Sequence, residues 1–414
     1  MLVRRVVNGI TVAVEEKKYT KKRVDDIIVY IIGGTHNETS RVCEYYHILE
    51  HAYKYLPSHK YSTDDNKLLF GIRGIECESQ VSEYFTKFTL HNSHTSKIGA
   101  SRIMIERVVE SLCSPYIDER TYDNAISSVR NELQSLLDDP FSVYSDNNKK
   151  VYGGDHISSK SLLNRLKSVK MCTYETFSDF LKHAIVPQRV ILYYKGKLNL
   201  DKLCSTLGQI QNNIQPVFSL SKMRESIVST SGSTSGSTNT ITDTKKRGVP
   251  SMYYTFIPSI TTKYQLRYNI VSKLVDKCSV YISECVLRLV QELLSHLNNQ
   301  NKVTLNIDAV DESLSYLCIE GEGINQSNIE AQIKDIVESL SVQNFKQILS
   351  KVTDLSLLKP EDTLDSKIIN IIIGKPEVET FITSKKDVYN MYKRCINNDK
   401  LYLMYCGPFE LFNN

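Results

Sequence analysis

The chain has 414 residues, 41% of them hydrophobic and 24% charged, with a formal net charge of +4 at pH 7. That length exceeds one typical hydrophobic core and predicts two domains. So small and dispersed a charge excludes an electrostatic case for nucleic acid, which needs Lys and Arg concentrated on one surface. The sequence holds no uninterrupted apolar run of about 18 residues and no signal-peptide pattern, so the expectation is a soluble, intracellular (cytoplasmic) protein without a membrane segment. Its ten cysteines stand singly from Cys43 to Cys406 and read as reduced, mostly buried thiols.

In chain order, GITVAVEE and DIIVYIIGG have the β-branched content and terminal glycine of strands. SRVCEYYHILEHAYKYL predicts a helix closed by Pro57, and NKLLFGIRGIE and QVSEYFTKFTLH read as two more strands. IGASRIMIERVVESL and DERTYDNAISSVRNELQSLL carry the 3.6-residue apolar spacing of amphipathic helices, the second stopped by Asp138, Asp139 and Pro140. Further helices lead to the strand RVILYYKGKL. Residues 228–247, VSTSGSTSGSTNTITDTKKR, are too polar to bury apolar surface and predict a flexible linker between domains 1–227 and 248–414. The second half repeats the mixture, with strands at PSMYYTFIP, KVTLNIDAV and LSYLCIEGEG and long helices around CVLRLVQELLSHL. In each half a helical segment, FSDFLKHAIV or DVYNMYKRCI, runs into an apolar strand and then glycine. The expected fold class is therefore α+β, two similar domains produced by internal duplication.

The chemistry concentrates in one place. His47, Glu50 and His51 form H-x-x-E-H within the predicted helix, and at 100° per residue all three project from one face. Two imidazoles one turn apart can close on a single metal. Catalytic zinc takes three protein ligands and a water, so a third donor must come from elsewhere, and Glu132 in VRNELQSLLDDP is the candidate. Glu50, beside the second histidine without being a ligand, suits a general base. Eight of the nine histidines precede the linker and only His296 follows it, so the second half cannot hold a second site of this kind.

On these residues the chain resembles the pitrilysin/insulinase family of zinc metallopeptidases, in particular its short mitochondrial-processing-peptidase-like branch. The similarity runs over nearly the whole length. It rests on the early N-G-I-T-V strand, the apolar strand ending in glycine, H-I-L-E-H itself, the acidic helix with Glu132 before D-D-P, and I-V-P-Q-R-V-I-L-Y-Y-K-G. The resemblance implies an antiparallel-rich mixed sheet packed against helices in each domain, one zinc per chain on the first, and a half-clamshell completed by a second copy or a homologous partner chain. It also implies a peptide or protein substrate, the ligands His47, His51 and Glu132, and the base Glu50. Glu110 and Glu119 are rival third ligands but lack the N-E-L-Q context. Strand QVSEYFTKFTLH, with Thr86 and Phe88, would be the edge that binds substrate.

The chain departs from the family pattern in several places. The family's second acidic residue falls at Ala125. Cys43, Glu44, Tyr45 and Tyr46 replace small residues, Glu78 and Ser79 stand where asparagine-alanine is usual, and no Arg/Tyr pair is evident around LSHLNNQNKVTLNIDA. The expected function is a zinc endopeptidase for extended or unfolded chains. The alternatives are a silent scaffold or assembly subunit and a viral protein-maturation protease.

Overall fold

In the computed structural model the described residues are 2–15, 26–38, 43–57, 61–73, 75–82, 84–92, 98–113, 115–153, 160–196, 198–213, 251–256, 262–270, 277–295, 304–309, 315–323, 326–353, 355, 364–365, 367–368, 384–397 and 401–407. Two compact units divide the chain: Met1–Ser135 with Leu162–Thr240, and Leu136–Ser161 with Ile241–Asn414. Residues 136–161, which the sequence boundary puts with the first half, thus belong to the second unit. The predicted linker 228–247 lies outside the described residues.

In the first unit, β1 (Leu2–Val7) and β2 (Ile10–Glu15) form a hairpin that the sequence reading did not separate. Its Asn8-Gly9 turn has φ of 46° and 92°, a backbone this residue pair adopts cheaply. The other strands are β3 (Asp26–Ile32), β4 (Ile75–Val81), β5 (Phe85–Asn92) and β6 (Val190–Lys195), giving a sheet of order β1-β2-β6-β3-β5-β4. Only β2 and β6 pair in parallel. β3 and β6 lie inside the sheet, which explains their unbroken apolar runs DIIVYII and VILYY.

Helices α1 (Tyr45–Tyr53), α2 (Thr63–Arg73), α3 (Ile98–Cys113), α4 (Glu119–Asp138), α6 (Leu162–Met171), α7 (Tyr174–Ala184) and α8 (Leu200–Asn213) accompany these strands, while α5 (Pro140–Gly153), between α4 and α6 in the chain, belongs to the second unit. α1 packs on β4 and β5, where the Tyr53 ring stacks on Phe88 at 3.7 Å between centroids. Asp138–Pro140 end α4 as expected: Asp139 accepts hydrogen bonds from the Phe141 and Ser142 amides, and Pro140 opens α5.

Two strand expectations are corrected. NKLLFGIR is not strand but most of α2. Its missed signal is S-T-D-D just before it, where Ser62 Oγ accepts from the Asp65 amide while Asp65 accepts from the Ser62 amide and hydroxyl. QVSEYFTKFTLH is not one strand either, because Gln80 and Val81 end β4 and β5 begins at Phe85. Ser82 makes the turn, its hydroxyl accepting from the Tyr84 and Phe85 amides.

The second unit has β7 (Ser251–Phe256), β8 (Thr262–Ile270), β9 (Thr304–Ala309), β10 (Ser315–Gly323) and β11 (Leu401–Gly407) in the order β7-β11-β8-β10-β9. β8, unforeseen, alternates polar with apolar residues along YQLRYNI. Again the first pair alone is parallel, so this order and sense repeat β2-β6-β3-β5-β4 strand for strand. Helices α9 (Lys277–Leu293), α10 (Gln326–Ser339), α11 (Val342–Lys351) and α12 (Lys385–Asn397) build its core, in which Phe345 stacks on Tyr392 at 3.6 Å and the Tyr392 hydroxyl donates to Leu340 O. α5 lies against β11, which accounts for its grouping here. No helix among the described residues is long and apolar enough to cross a membrane.

Candidate metal centre

α1 is short, nine residues, and buries Tyr45, Tyr46, Ile48, Leu49, Ala52 and Tyr53. The remaining three are His47, Glu50 and His51, so burying the rest of the helix leaves these on a single accessible stripe. The approach to α1 is built tightly. Gly33, at φ +147° after β3, is a position where a Cβ would run into the Tyr46 hydroxyl. Buried Glu38 accepts from the Tyr46 amide, satisfying a free donor of the first turn and placing negative charge at the helix N-terminus.

Facing this stripe is α4. It buries Thr121, Tyr122, Ala125, Ile126, Val129 and Leu133, while Glu132, near its C-terminal end, is 49% exposed. Glu132 Oε2 lies 3.3 Å from His47 Nε2 and 3.3 Å from His51 Nε2. His47, His51 and Glu132 form a cluster whose donor atoms all lie within 4.8 Å of one another. Glu110, buried on α3, and Glu119, at the start of α4, are not part of it. Ala125, where the resemblance implies a carboxylate, is buried, so α4 offers none there.

The donor set fits a zinc ion. At zinc distances of about 2.0–2.1 Å and a tetrahedral angle, neighbouring donors stand about 3.3 Å apart, matching the two Glu132 separations. The electrostatics agree. Glu44 Oε2 lies 2.9 Å from His47 Nδ1, and Arg165 on α6 grips the same carboxylate, Nε donating to Oε1 at 2.6 Å and Nη2 to Oε2 at 3.0 Å. A carboxylate so gripped only accepts, so Nδ1 carries hydrogen, and a neutral His47 turns a bare lone pair at Nε2 toward the Glu132 oxygen. Acceptors face each other there, and a cation or a proton must lie between them.

Titration follows the same pattern. Burial disfavours the Glu44 anion, but the hydrogen bonds from His47 and Arg165 outweigh burial and hold its pKa down to about 2. For His47, burial opposes the charged ring, but Glu44, Glu132 and Glu50 outweigh it and raise the pKa above the ordinary imidazole value. Protons therefore compete with metal at His47 to a higher pH than at a free imidazole. Because the Glu44 pKa is depressed on folding, its stabilisation is complete above the unfolded value near 4.5 and is lost as pH falls toward 2. Glu44→Gln, which mimics the protonated acid, should thus lower unfolding free energy by roughly 3 kcal/mol at pH 7. In urea titrations across pH 7 to 2.5 that gap should close below pH 4.5, and a constant gap would contradict the assignment.

Glu44 was missed in the sequence, where it reads only as a bulky departure. Three residues before His47, it sits in the left-handed region at φ 71°, a backbone that costs a non-glycine residue about 1–2 kcal/mol. Arg165, 121 residues away, left no local signal at all.

The remaining expectations divide. Thr86 and Phe88 are fully buried, Thr86 donating to Gly33 O and Phe88 stacked under α1. β5 is an inner strand, and among the described residues the free edge on that side of the sheet is β4. His91 has Asp26 at 2.9 Å and His183 bonds Asp179 O, ordinary partners for surface histidines. His59, His94, His156 and His296 lie outside the described residues. The free cysteines Cys43, Cys172, Cys204, Cys285 and Cys318 are buried, as expected.

No family model matches the sequence, and no curated protein matches it. Solved structures do. A protease from Helicobacter pylori matches with a TM-score of 0.68 at 11% identity, over 99% of each chain. A peptidase M16 inactive domain from Pseudomonas fluorescens matches with a TM-score of 0.66 at 12% identity, over 99% of this chain and 98% of that one. The periplasmic protease PqqL from Escherichia coli matches with a TM-score of 0.68 at 10% identity, over 98% of this chain but 47% of its own. With its two α+β units, the chain has the fold of these solved structures.

Proposed function

We propose that the chain is a zinc-dependent endopeptidase acting on extended or unfolded polypeptides, with His47, His51 and Glu132 as ligands and Glu50 as general base. The observation that carries the reading is the convergence of one carboxylate oxygen and two imidazole nitrogens at 3.3 Å spacing beside a free glutamate on the same helix stripe. Zinc, when bound, supplies Lewis acidity toward the peptide carbonyl and acidifies the attacking water. The rest falls to the chain. Glu50, one turn from His47 and next to His51, takes the proton of that water and returns it to the leaving amine. Among the described residues β4 is the free sheet edge open to an extended segment, and α1 packs against it, so strand addition there brings a peptide toward the metal stripe.

The strand-for-strand agreement of the two sheets supports an internal duplication in which only the first copy acquired metal ligands. Coverage of about half of PqqL supports pairing with a second copy or a homologous chain, which sedimentation of the purified protein tests. A scaffold role is supported by the likeness to an inactive M16 domain, whereas the complete donor set argues for chemistry. One assay separates the two: cleavage of an unfolded polypeptide should vanish on chelation and return with zinc. In the same assay Ser79→Pro, which removes an outward-facing amide of β4 without touching its ladder to β5, should raise KM several-fold. Cleavage indifferent to chelator removes the peptidase reading, and an unchanged KM removes the β4 role.

A further inference from the structure

We propose that Glu44, itself clamped by Arg165, is a positioning residue that fixes the His47 ring so that Nε2 rather than Nδ1 is presented to the metal. The inference rests on the zinc reading above but adds residues that no motif contains.

The geometry carries it in three steps. An unrestrained imidazole on a helix can turn about its outer torsion and offer either nitrogen, and only one orientation meets Glu132. Glu44 removes that freedom: its Oε2 accepts from Nδ1 at 2.9 Å, so the remaining nitrogen points to Glu132. A carboxylate orienting a ligating histidine through the other ring nitrogen is a general device for setting tautomer and basicity.

Glu44 is in turn immobile. Its side chain is 5% exposed, and the Arg165 fork closes on both oxygens. Arg165 is held by α6, whose Leu162, Leu166 and Val169 are buried. The left-handed backbone at Glu44 is the remaining piece. At φ 71° and ψ 6° it ends the loop and starts α1 in one residue, with the side chain turned onto the third residue of the helix. A strained non-glycine residue kept where its side chain meets a ligand fits strain retained at a functional site. His51 receives no such support among the described contacts, so the two histidines differ in kind.

The test uses the full chain labelled with 15N-histidine, read first without metal at a pH where the ring is neutral and then by zinc competition against a chelator. In the wild type, the His47 Nδ1–H proton should be slow to exchange and shifted downfield. In Glu44→Ala it should be lost, and zinc affinity should fall about 10–100-fold while Glu50→Gln leaves affinity unchanged. Glu44→Gln keeps side-chain volume and one accepting oxygen, and serves if the alanine variant does not fold. It should retain a weakened proton signal and an intermediate affinity. Arg165→Met should move both readouts the same way by less. An unaltered Nδ1–H signal, or unaltered zinc affinity, in a folded Glu44 variant overturns the proposal while leaving the peptidase reading intact. A wild type that binds no zinc overturns the peptidase reading, and the metal-free spectrum alone then decides whether Glu44 sets the ring.

Discussion

Glu50→Gln should leave zinc content at the wild-type level and reduce peptide cleavage by about 10²–10⁴-fold. The contrast follows from where Glu50 sits. It shares the accessible stripe of α1 with the histidines, half-buried, yet it is absent from the group of donors that converge with Glu132. A carboxamide is isosteric with the carboxyl and keeps the helix surface, but it cannot accept and return a proton. What disappears is the proton transfer alone, so KM should hold while kcat collapses. Initial rates on an unfolded polypeptide, with zinc measured in the same sample, make the comparison. Undiminished cleavage would mean that another group moves the proton or that the activity belongs to another protein. Loss of zinc together with activity would mean that Glu50 is a ligand and the donor set has been misassigned.

The parts of this site that could be read from sequence are those whose geometry is local. H-x-x-E-H fixes its own arrangement, since 3.6 residues per turn puts His47, Glu50 and His51 on one face whatever surrounds them. Glu132 was legible through its context, N-E-L-Q on an amphipathic helix, which the resemblance to a family aligned. Sheet order was not legible. QVSEYFTKFTLH, read as one edge strand, is mostly β5 and lies inside the sheet, because which strand lies at an edge is decided by partners distant in sequence, and β5 is flanked by β3 as well as β4. NKLLFGIR was misread because its apolar run fits either period, and the deciding signal, the Ser62–Asp65 cap, lies outside the run. Glu44 was invisible for a third reason. A glutamate three positions before a histidine is unremarkable unless its own backbone turns left-handed, and its stabilising partner comes from α6. The substrate side therefore needed the structure more than the metal side did.

Zinc itself gives the second large effect: near one ion per chain in the wild type, and close to none in His51→Ala or Glu132→Ala. These are clean substitutions because neither residue holds the fold. Glu132 is 49% exposed, and His51 is 32% exposed on the open stripe of α1. Truncation there removes a donor without opening a cavity, so folded protein should be recovered in both cases. Each variant leaves two donors, fewer than the three that a catalytic zinc site requires. Thermal unfolding supplies an independent reading. Ligand bound only to the folded state stabilises by about 2.7 kcal/mol at a hundredfold excess over Kd, so zinc should raise Tm in the wild type and leave it unmoved in both variants. Glu110→Ala and Glu119→Ala act as the counter-test, since each removes a carboxylate that lies outside the cluster. Zinc retained in Glu132→Ala but lost in either of those would transfer the third ligand to the other residue. Zinc at wild-type level in all four variants would detach the metal from α1 and α4 altogether, and with it the chemistry assigned to Glu50.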